Sequence, residues 1–230
     1  MASPSEQVRP FPSDWNTALV LVPHPDDPEY GCAAAVAKWT SSGKTVYYAL
    51  ACRGEVGIEG MAAEEAGPVR EGEQLRSSAI VGVDDVQFWD FPDSNILNTS
   101  ELRAKIAETI TELAPDVVIT LYSGAEWAPG APNQRDHIEF SLAVAGAYDS
   151  LESPPRWFFE NGPGFTHGET VDGFIDVAVD ALAAHDVYLS VYDPHTPVHV
   201  QARKQVEMTA APCSALGGSR TVGFILKRSR

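Results

Sequence analysis

The sequence predicts one Rossmann-like α/β domain, a mainly parallel sheet sandwiched between two helical layers. Three observations carry that prediction. Short β-branched apolar runs alternate with helix-like stretches along the chain. No internal repeat or low-complexity linker divides the 230 residues, a length that one domain can fill. The Gly- and Pro-rich loops at 125–132, 153–155 and 161–168 are spaced as rims of one unit, not as boundaries between two. Residues 1–14, polar and proline-bearing, read as a loose tail, and residues 15–230 as the domain.

Each element has a local reason. Thr17–Val22 is a β-branched apolar run of the kind that a parallel sheet buries on both faces. The stretch 31–42 carries small apolar residues from Ala33 to Ala37 and stops at Gly43, as helices often do. A second strand is expected at 45–52. Helix 64–81 follows, with Leu75, Ala79 and Ile80 predicted on one face. The third strand is placed at 86–91, an amphipathic helix at 101–113, and the fourth strand at 116–121 after the stop signal Ala114-Pro115. Helical character returns over 135–148 and 171–185, and a last strand is expected at 221–227. Such βα alternation calls for right-handed crossovers and helices on both faces.

Composition narrows the function. Hydrophobic residues make up 44% and charged residues 21%, values of a globular chain and not of a disordered one. Sixteen Lys and Arg against thirty-two Asp and Glu give a net charge of −16. That charge repels phosphate backbones and anionic lipid, so nucleic acid and membrane surfaces are excluded as partners and a small molecule is expected. The three cysteines show no CxxC spacing, which argues against a disulfide framework or a thiolate zinc site. No apolar run approaches the ~20 residues of a membrane span, and no signal-peptide core opens the chain. A cytoplasmic protein is the expectation; self-association into a homo-oligomer is left open.

In an open α/β sheet, ligands bind beyond the carboxyl ends of the strands. Those tips read Pro23-His24-Pro25-Asp26-Asp27, Arg53-Gly54-Glu55, Pro92-Asp93-Ser94 and Tyr122-Ser123-Gly124. Three of the four carry acids, the wrong sign for a nucleotide phosphate. No G-x-G-x-x-G follows the first strand, Lys38 stands where a P-loop ending in Gly43-Lys44-Thr45 needs its first glycine, and no G-x-S-x-G occurs. His24 and Asp27, three apart on a tight strand-to-helix turn, can converge on one cation with Asp26 beside it. A catalytic zinc wants three protein ligands, an open position and a nearby base. The same tetrapeptide also suits a purely structural turn in which an Asp caps the helix. His137, at the start of the helix after the fourth strand, is the candidate third ligand, with Asp136 able to orient a neighbour through a hydrogen bond. The competing reading of His137 is a capping or surface histidine. Trp127, in the loop before it, is placed either to stack on a sugar or to staple that loop.

The run from Pro23 to Cys32 closely resembles the amino-terminal motif of the LmbE/PIG-L family of zinc-dependent N-deacetylases, which show A/P-H-P-D-D-E directly after their first strand. The resemblance continues through Arg53-Gly54-Glu55-x-Gly57, Arg70-x-x-Glu73-Gln74 and Pro92-Asp93. It reaches Asp136-His137 and thins to Thr166-His167 and Ala184-His185, so it covers most of the chain. It implies a Rossmann-like deacetylase fold with zinc held by His24, Asp27 and His137. Ferrous iron also suits two imidazoles and a carboxylate. It further implies Asp26 as general base and Arg70 and Asp93 as contacts for the sugar. The implied reaction removes an acetyl or other acyl group from an N-acetylated amino sugar or its conjugate. An amidase acting on thiol-sugar conjugates is the related reading. A non-catalytic metal- or sugar-binding protein on the same scaffold is the reading from another class, and it would have no use for Asp26. One departure stands out: Gln134 occupies the place where many relatives carry a histidine that protonates the leaving amine. An amide donates a hydrogen bond but delivers no proton. His167 and His185 are then candidate proton donors, with Asp26 itself as the other source.

Overall fold

The computed structural model describes residues 8–230. Along the chain run β1 (Arg9–Pro10), β2 (Thr17–Val22), α1 (Asp27–Gly31), α2 (Ala33–Ser41), β3 (Thr45–Leu50), α3 (Ala63–Ile80) and β4 (Asp85–Phe88). There follow α4 (Ser100–Leu113), β5 (Val117–Leu121), a small hairpin of β6 (Glu126–Ala128) and β7 (Ala131–Pro132), α5 (Arg135–Ser150) and β8 (Trp157–Asn161). The chain continues through β9 (His167–Thr170), α6 (Ile175–Ala183), α7 (Asp186–Tyr192), α8 (Val198–Thr209) and β10 (Thr221–Ser229).

Eight strands form one sheet in the order β1-β9-β10-β8-β5-β2-β3-β4. β2 pairs in parallel with both β3 and β5, and β10 is antiparallel to both its neighbours. The chain fills one side of β2 with β3 and β4, then crosses to β5 on the other. β2 and β5 therefore border the topological switch point, where a crevice opens at the carboxyl ends of the strands.

Alternation within the strands feeds two cores. Ala18, Val20 and Val22 of β2 join one cluster, with residues of α2, α6 and α8, while Leu19 and Leu21 join the other, with residues of α4 and α5. Leu19 and Leu21 are wholly buried, so either change to Ala is expected to cost roughly 2–5 kcal/mol. This two-faced burial is why β2 reads as a continuous apolar run and not as an alternating one. No helix among the described residues is long and apolar enough to cross a membrane.

The structure departs from the sequence reading in several places: α7 and α8 were not foreseen, the β6–β7 hairpin forms within an expected loop, and three further differences have clear physical reasons. Of the tail expected over 1–14, residues 1–7 lie outside the described residues. Beyond them β1 pairs in parallel with β9, and Phe11 is buried against Trp39, Phe159 and Phe224. One aromatic side chain supplies enough apolar area to dock a short polar segment. Between the loops expected at 153–155 and 161–168 the chain forms β8, which was not foreseen, because Trp157-Phe158-Phe159 is a bulky run that packs on a pleated surface, and β9 begins at His167 within the second loop. The third departure is α3, which leaves Leu75 and Ile80 exposed and buries Arg70, Glu73, Gln74, Ser77 and Ser78. A helix that turns its polar face inward needs partners there: those of Arg70 and the Gln74 oxygen lie at the strand tips, while Glu73 accepts the Val187 N–H of α7 at 2.7 Å.

Candidate active site

His24 leaves β2 on a turn whose geometry is set by its own acids. The backbone N–H of His24 donates to Asp27 Oδ2 at 2.8 Å, closing the turn, and the imidazole Nδ1 lies 3.4 Å from the same oxygen. His137, one turn into α5, brings Nε2 within 3.2 Å of Asp27 Oδ1. Asp27 thus stands between two imidazoles, and one donor atom from each of His24, Asp27 and His137 lies within 4.8 Å of the others. All three residues are buried. β2 carries His24 and β5 leads to His137, so the pair straddles the switch point.

Asp26 sits beside this group in a left-handed backbone conformation, φ 78°, which a residue with a Cβ adopts only when held there. Two partners hold it, both from the polar face of α3. Gln74 Oε1 accepts the Asp26 N–H at 2.7 Å, and Arg70 Nη2 donates to Asp26 Oδ2 at 3.1 Å. The Gln74 amide is itself oriented by Glu29, its Nε2 lying 3.2 and 3.1 Å from the two carboxylate oxygens. Arg70 also donates to the Pro25 carbonyl at 2.7 Å and stacks over the Tyr188 ring at 4.4 Å. A Cβ on Gly54 or Gly57 would come within 2.3 Å of Arg70 Nη1. That close approach is the physical reason for the glycines of Arg53-Gly54-Glu55-x-Gly57.

Asp93 completes the acidic wall. Its Oδ2 accepts the Val56 N–H at 2.8 Å, its own N–H donates to Glu55 Oε1 at 3.1 Å, and its Oδ1 is 3.4 Å from His24 Nε2. Asp136 Oδ2 lies 3.3 Å from the same nitrogen. Asp136 therefore reaches His24 from the far side, in the position of a carboxylate that orients a ligand.

The electrostatics follow from this crowding. Burial opposes protonation of His24, but hydrogen bonds with Asp136 and Asp27 and the charges of Asp27 and Asp93 push it up to about 10. Burial also works against ionised Asp27, yet the charge of His137 and hydrogen bonds from both histidines hold its carboxyl well below the usual range. Asp26 is pushed up to about 6 by burial, with Arg70 pulling the other way. The acids around His24 call for positive charge. Two imidazoles and a carboxylate converging beside an open cavity are a donor set that fits a divalent cation with positions left for water and substrate. Cys52 Sγ forms an overlapping group with His24 and Asp93. Its thiol donates to the Pro23 carbonyl at 3.3 Å, and burial pushes its pKa up, so it reads as a packed thiol.

A cavity of about 400 Å³ opens over the site. Its lining includes His24, Asp26, Asp27, Arg70, Asp93 and His137, and also Gln134 and Asp136. Gln134 is the N-cap residue of α5 but makes no side-chain cap bond, which leaves its amide uncommitted at the cavity wall. Trp127 lies on the β6–β7 hairpin, its ring 5.6 Å from Tyr122 and 6.4 Å from His137, and does not line the cavity. The structure does not bring His167 or His185 to it either. His167 is on β9, Nδ1 3.0 Å from Thr166 Oγ1 and edge-on to Phe159. His185 is wholly buried, its Nε2 3.4 Å from Glu29. Sequence reasoning missed Tyr188, which lines the cavity and carries no local motif. It also missed Gln74 as the holder of Asp26, although Gln74 stands in the Arg70-x-x-Glu73-Gln74 pattern.

A family model for PIG-L, described as GlcNAc-PI de-N-acetylase, matches residues 19–148. That span contains every residue of the converging group. The chain is 28% identical over 185 residues to a probable N-acetyl-alpha-D-glucosaminyl L-malate deacetylase of Bacillus anthracis, covering 73% of this chain and 79% of that one. It is 32% identical over 177 residues to the diacetylchitobiose deacetylase of Thermococcus kodakarensis, covering 75% of this chain and 60% of that protein. Among solved structures, the fold matches N,N'-diacetylchitobiose deacetylase from Pyrococcus horikoshii with a TM-score of 0.81 at 17% identity, over 93% of this chain and 84% of that one.

Proposed function

The chain belongs to the PIG-L family, and from that premise we propose that it removes the acetyl group from an N-acetylated amino sugar or its conjugate by metal-dependent hydrolysis. The observation that carries the proposal is the convergence of His24, Asp27 and His137 with Asp26 alongside, at the mouth of one cavity. We assign the cation to those three residues, with zinc first and ferrous iron second. When bound, the cation supplies Lewis acidity toward water and the amide carbonyl.

The remaining work falls to the chain's own groups. Asp26 accepts a proton from the attacking water as oxygen adds to the carbonyl carbon. Its left-handed backbone and the Arg70 contact hold the carboxylate in one place, so no reorganisation is needed at that moment. The uncommitted Gln134 amide is our candidate donor to the oxyanion. As the C–N bond breaks, Asp26 returns the same proton to the nitrogen, and acetate and the free amine leave. Asp136 orients His24 through Nε2, and Asp93 faces the sugar hydroxyls. Arg70 serves mainly to fix Asp26, since its guanidinium is already committed to Asp26 and the Pro25 carbonyl. Cys32, Cys52 and Cys213 are all free thiols, which supports a reducing, cytoplasmic setting.

The test is acetate release by the zinc-loaded and ferrous proteins from N-acetylglucosamine, N,N'-diacetylchitobiose and an N-acetylglucosaminyl malate, with products identified by mass spectrometry. Turnover on at least one supports the proposal. Stoichiometric metal without release from these substrates or a broad panel of amides would establish a binding protein instead. Cleavage confined to thiol-sugar conjugates would establish the amidase.

A further inference from the structure

His137 enters the converging group by one ring nitrogen and is held by the other. Nε2 is 3.2 Å from Asp27 Oδ1, while Nδ1 is 3.2 Å from Asn133 Oδ1. The orientation of the Asn133 amide is fixed by its surroundings. Its Nδ2 donates to the Tyr122 carbonyl at 2.8 Å and to the Gly124 carbonyl at 2.9 Å. Carbonyl oxygens only accept, so the NH2 end must face them and Oδ1 must face His137. An amide oxygen also only accepts, so Nδ1 must carry a proton. Nε2 is then the nitrogen turned toward the Asp27 carboxylate and the cation site, able to donate to Asp27 Oδ1 or, with a cation bound, to give that cation its lone pair.

We propose that Asn133 is a positioning residue that keeps the His137 Nδ1 protonated and Nε2 turned to the cation site. It also ties that orientation to the rim of the cavity. Besides its two side-chain donations, the Asn133 N–H donates to the Ala125 carbonyl at 2.8 Å, closing the base of the β6–β7 hairpin. That hairpin carries Trp127, whose ring meets His137 edge-on at 78°. Ordering the rim and aiming the ligand are therefore one event. A neighbour that fixes the tautomer of a ligating histidine typically governs 10–100-fold in metal affinity. The consequence for metal rests on the cation site proposed above; the protonation of Nδ1 is a property of the protein alone.

The test uses the full-length protein labelled with 15N, metal-free and zinc-loaded. The His137 Nδ1 proton is expected in slow exchange in both states. Asn133→Leu removes the acceptor and both donors; it should lose that signal and weaken zinc binding by about 10–100-fold. Asn133→Asp keeps the acceptor but loses both donations to the rim. It should retain the Nδ1 proton and bind zinc within a few-fold of wild type, while amide exchange over 122–132 accelerates. A leucine variant that keeps the signal and binds zinc within about twofold of wild type overturns the proposal. So does loss of the signal in Asn133→Asp, which decides the matter alone if the leucine variant does not fold. A wild-type protein that shows the Nδ1 proton yet binds no zinc would remove the cation site and leave the assignment of Asn133 standing.

Discussion

Replacing Asp26 with Asn separates its chemistry from its packing more cleanly than any other single change at the site. The substitution is isosteric, and Asn tolerates the left-handed backbone at φ 78° at least as well as Asp does, so the turn should persist. The Asp26 N–H still finds Gln74 Oε1 at 2.7 Å. What changes is the charge opposite Arg70, which donates to Asp26 Oδ2 at 3.1 Å from a buried position. Removing one partner of a buried pair outright costs about 3–5 kcal/mol. Here the Asn oxygen still accepts, and Arg70 keeps the Pro25 carbonyl and the Tyr188 ring. Burial moreover opposes the Asp26 charge and pushes its pKa up to about 6 despite Arg70, so near neutrality a neutral side chain is the easier one to bury there and the metal-free fold should not be weakened. Tm of the metal-free protein should therefore hold or rise, and a fall beyond about 2–4 °C, roughly 1 kcal/mol in a chain of 230 residues, would mean that the Arg70 pair outweighs the burial cost. Zinc content should stay near stoichiometric, because Asp26 is outside the ligand set, while kcat falls ~10²–10⁴, the usual share of a general base. Metal analysis, a thermal melt and acetate release on one preparation read all three. Near-native turnover would refute Asp26 as the base, and loss of zinc would refute its place outside the ligand set.

The reach of the sequence differed between the strands and the polar helix face, for physical reasons. β2 was legible to the residue, because burial on both faces leaves a run of apolar side chains that no other context needs. His24, Asp26 and Asp27 were legible because they fall just after β2, and His137 because the helix that follows β5 and its long loop opens on the same edge of the sheet, where the fold places ligands. α3 was found as a helix, but its inner face was misjudged. Leu75 and Ile80 suggest an apolar seam, yet they are exposed, while Arg70 and Gln74 turn inward to hold Asp26. Hydrophobic periodicity assumes that a helix buries apolar area. It fails where the buried partner is a catalytic turn with its own donors and acceptors. The same limit hid Asn133, whose partners, the carbonyls of Tyr122 and Gly124, belong to a loop with no periodic signal. His167 and His185 illustrate the converse: titratable residues near motif remnants, which the sheet and α7 draw away from the cavity.

Among the remaining predictions, His24→Ala, Asp27→Ala and His137→Ala should each reduce zinc occupancy sharply; normal zinc content in any one variant removes that residue from the ligand set. Gln134→Ala should slow turnover by no more than ~10³, the upper end for one oxyanion donor, without changing the shape of the pH–rate profile, since no titrating group is lost. His167→Ala should leave zinc content and the alkaline limb of that profile in place; an erased limb would make His167 the proton donor. The last prediction concerns acid stability and Asp116, at the start of β5. Its Oδ2 accepts the N–H groups of Asn16 and Thr17 at 2.7 and 3.0 Å, and these bonds, Asn16's first, lower its pKa. The folded carboxyl therefore ionises at lower pH than the unfolded one, whose pKa is about 3.9. Below the unfolded value the unfolded chain binds the extra proton, so the contribution of Asp116 is complete above that pH and is lost as pH falls through the folded pKa. Asp116→Asn keeps an acceptor but not the charge, and should cost about 1 kcal/mol near neutrality. Urea melts of both proteins from pH 7 downward should show that difference shrinking once pH drops below about 4. A difference that stayed constant into strong acid would mean that Asp116 stabilises the strand entry by shape, not by charge.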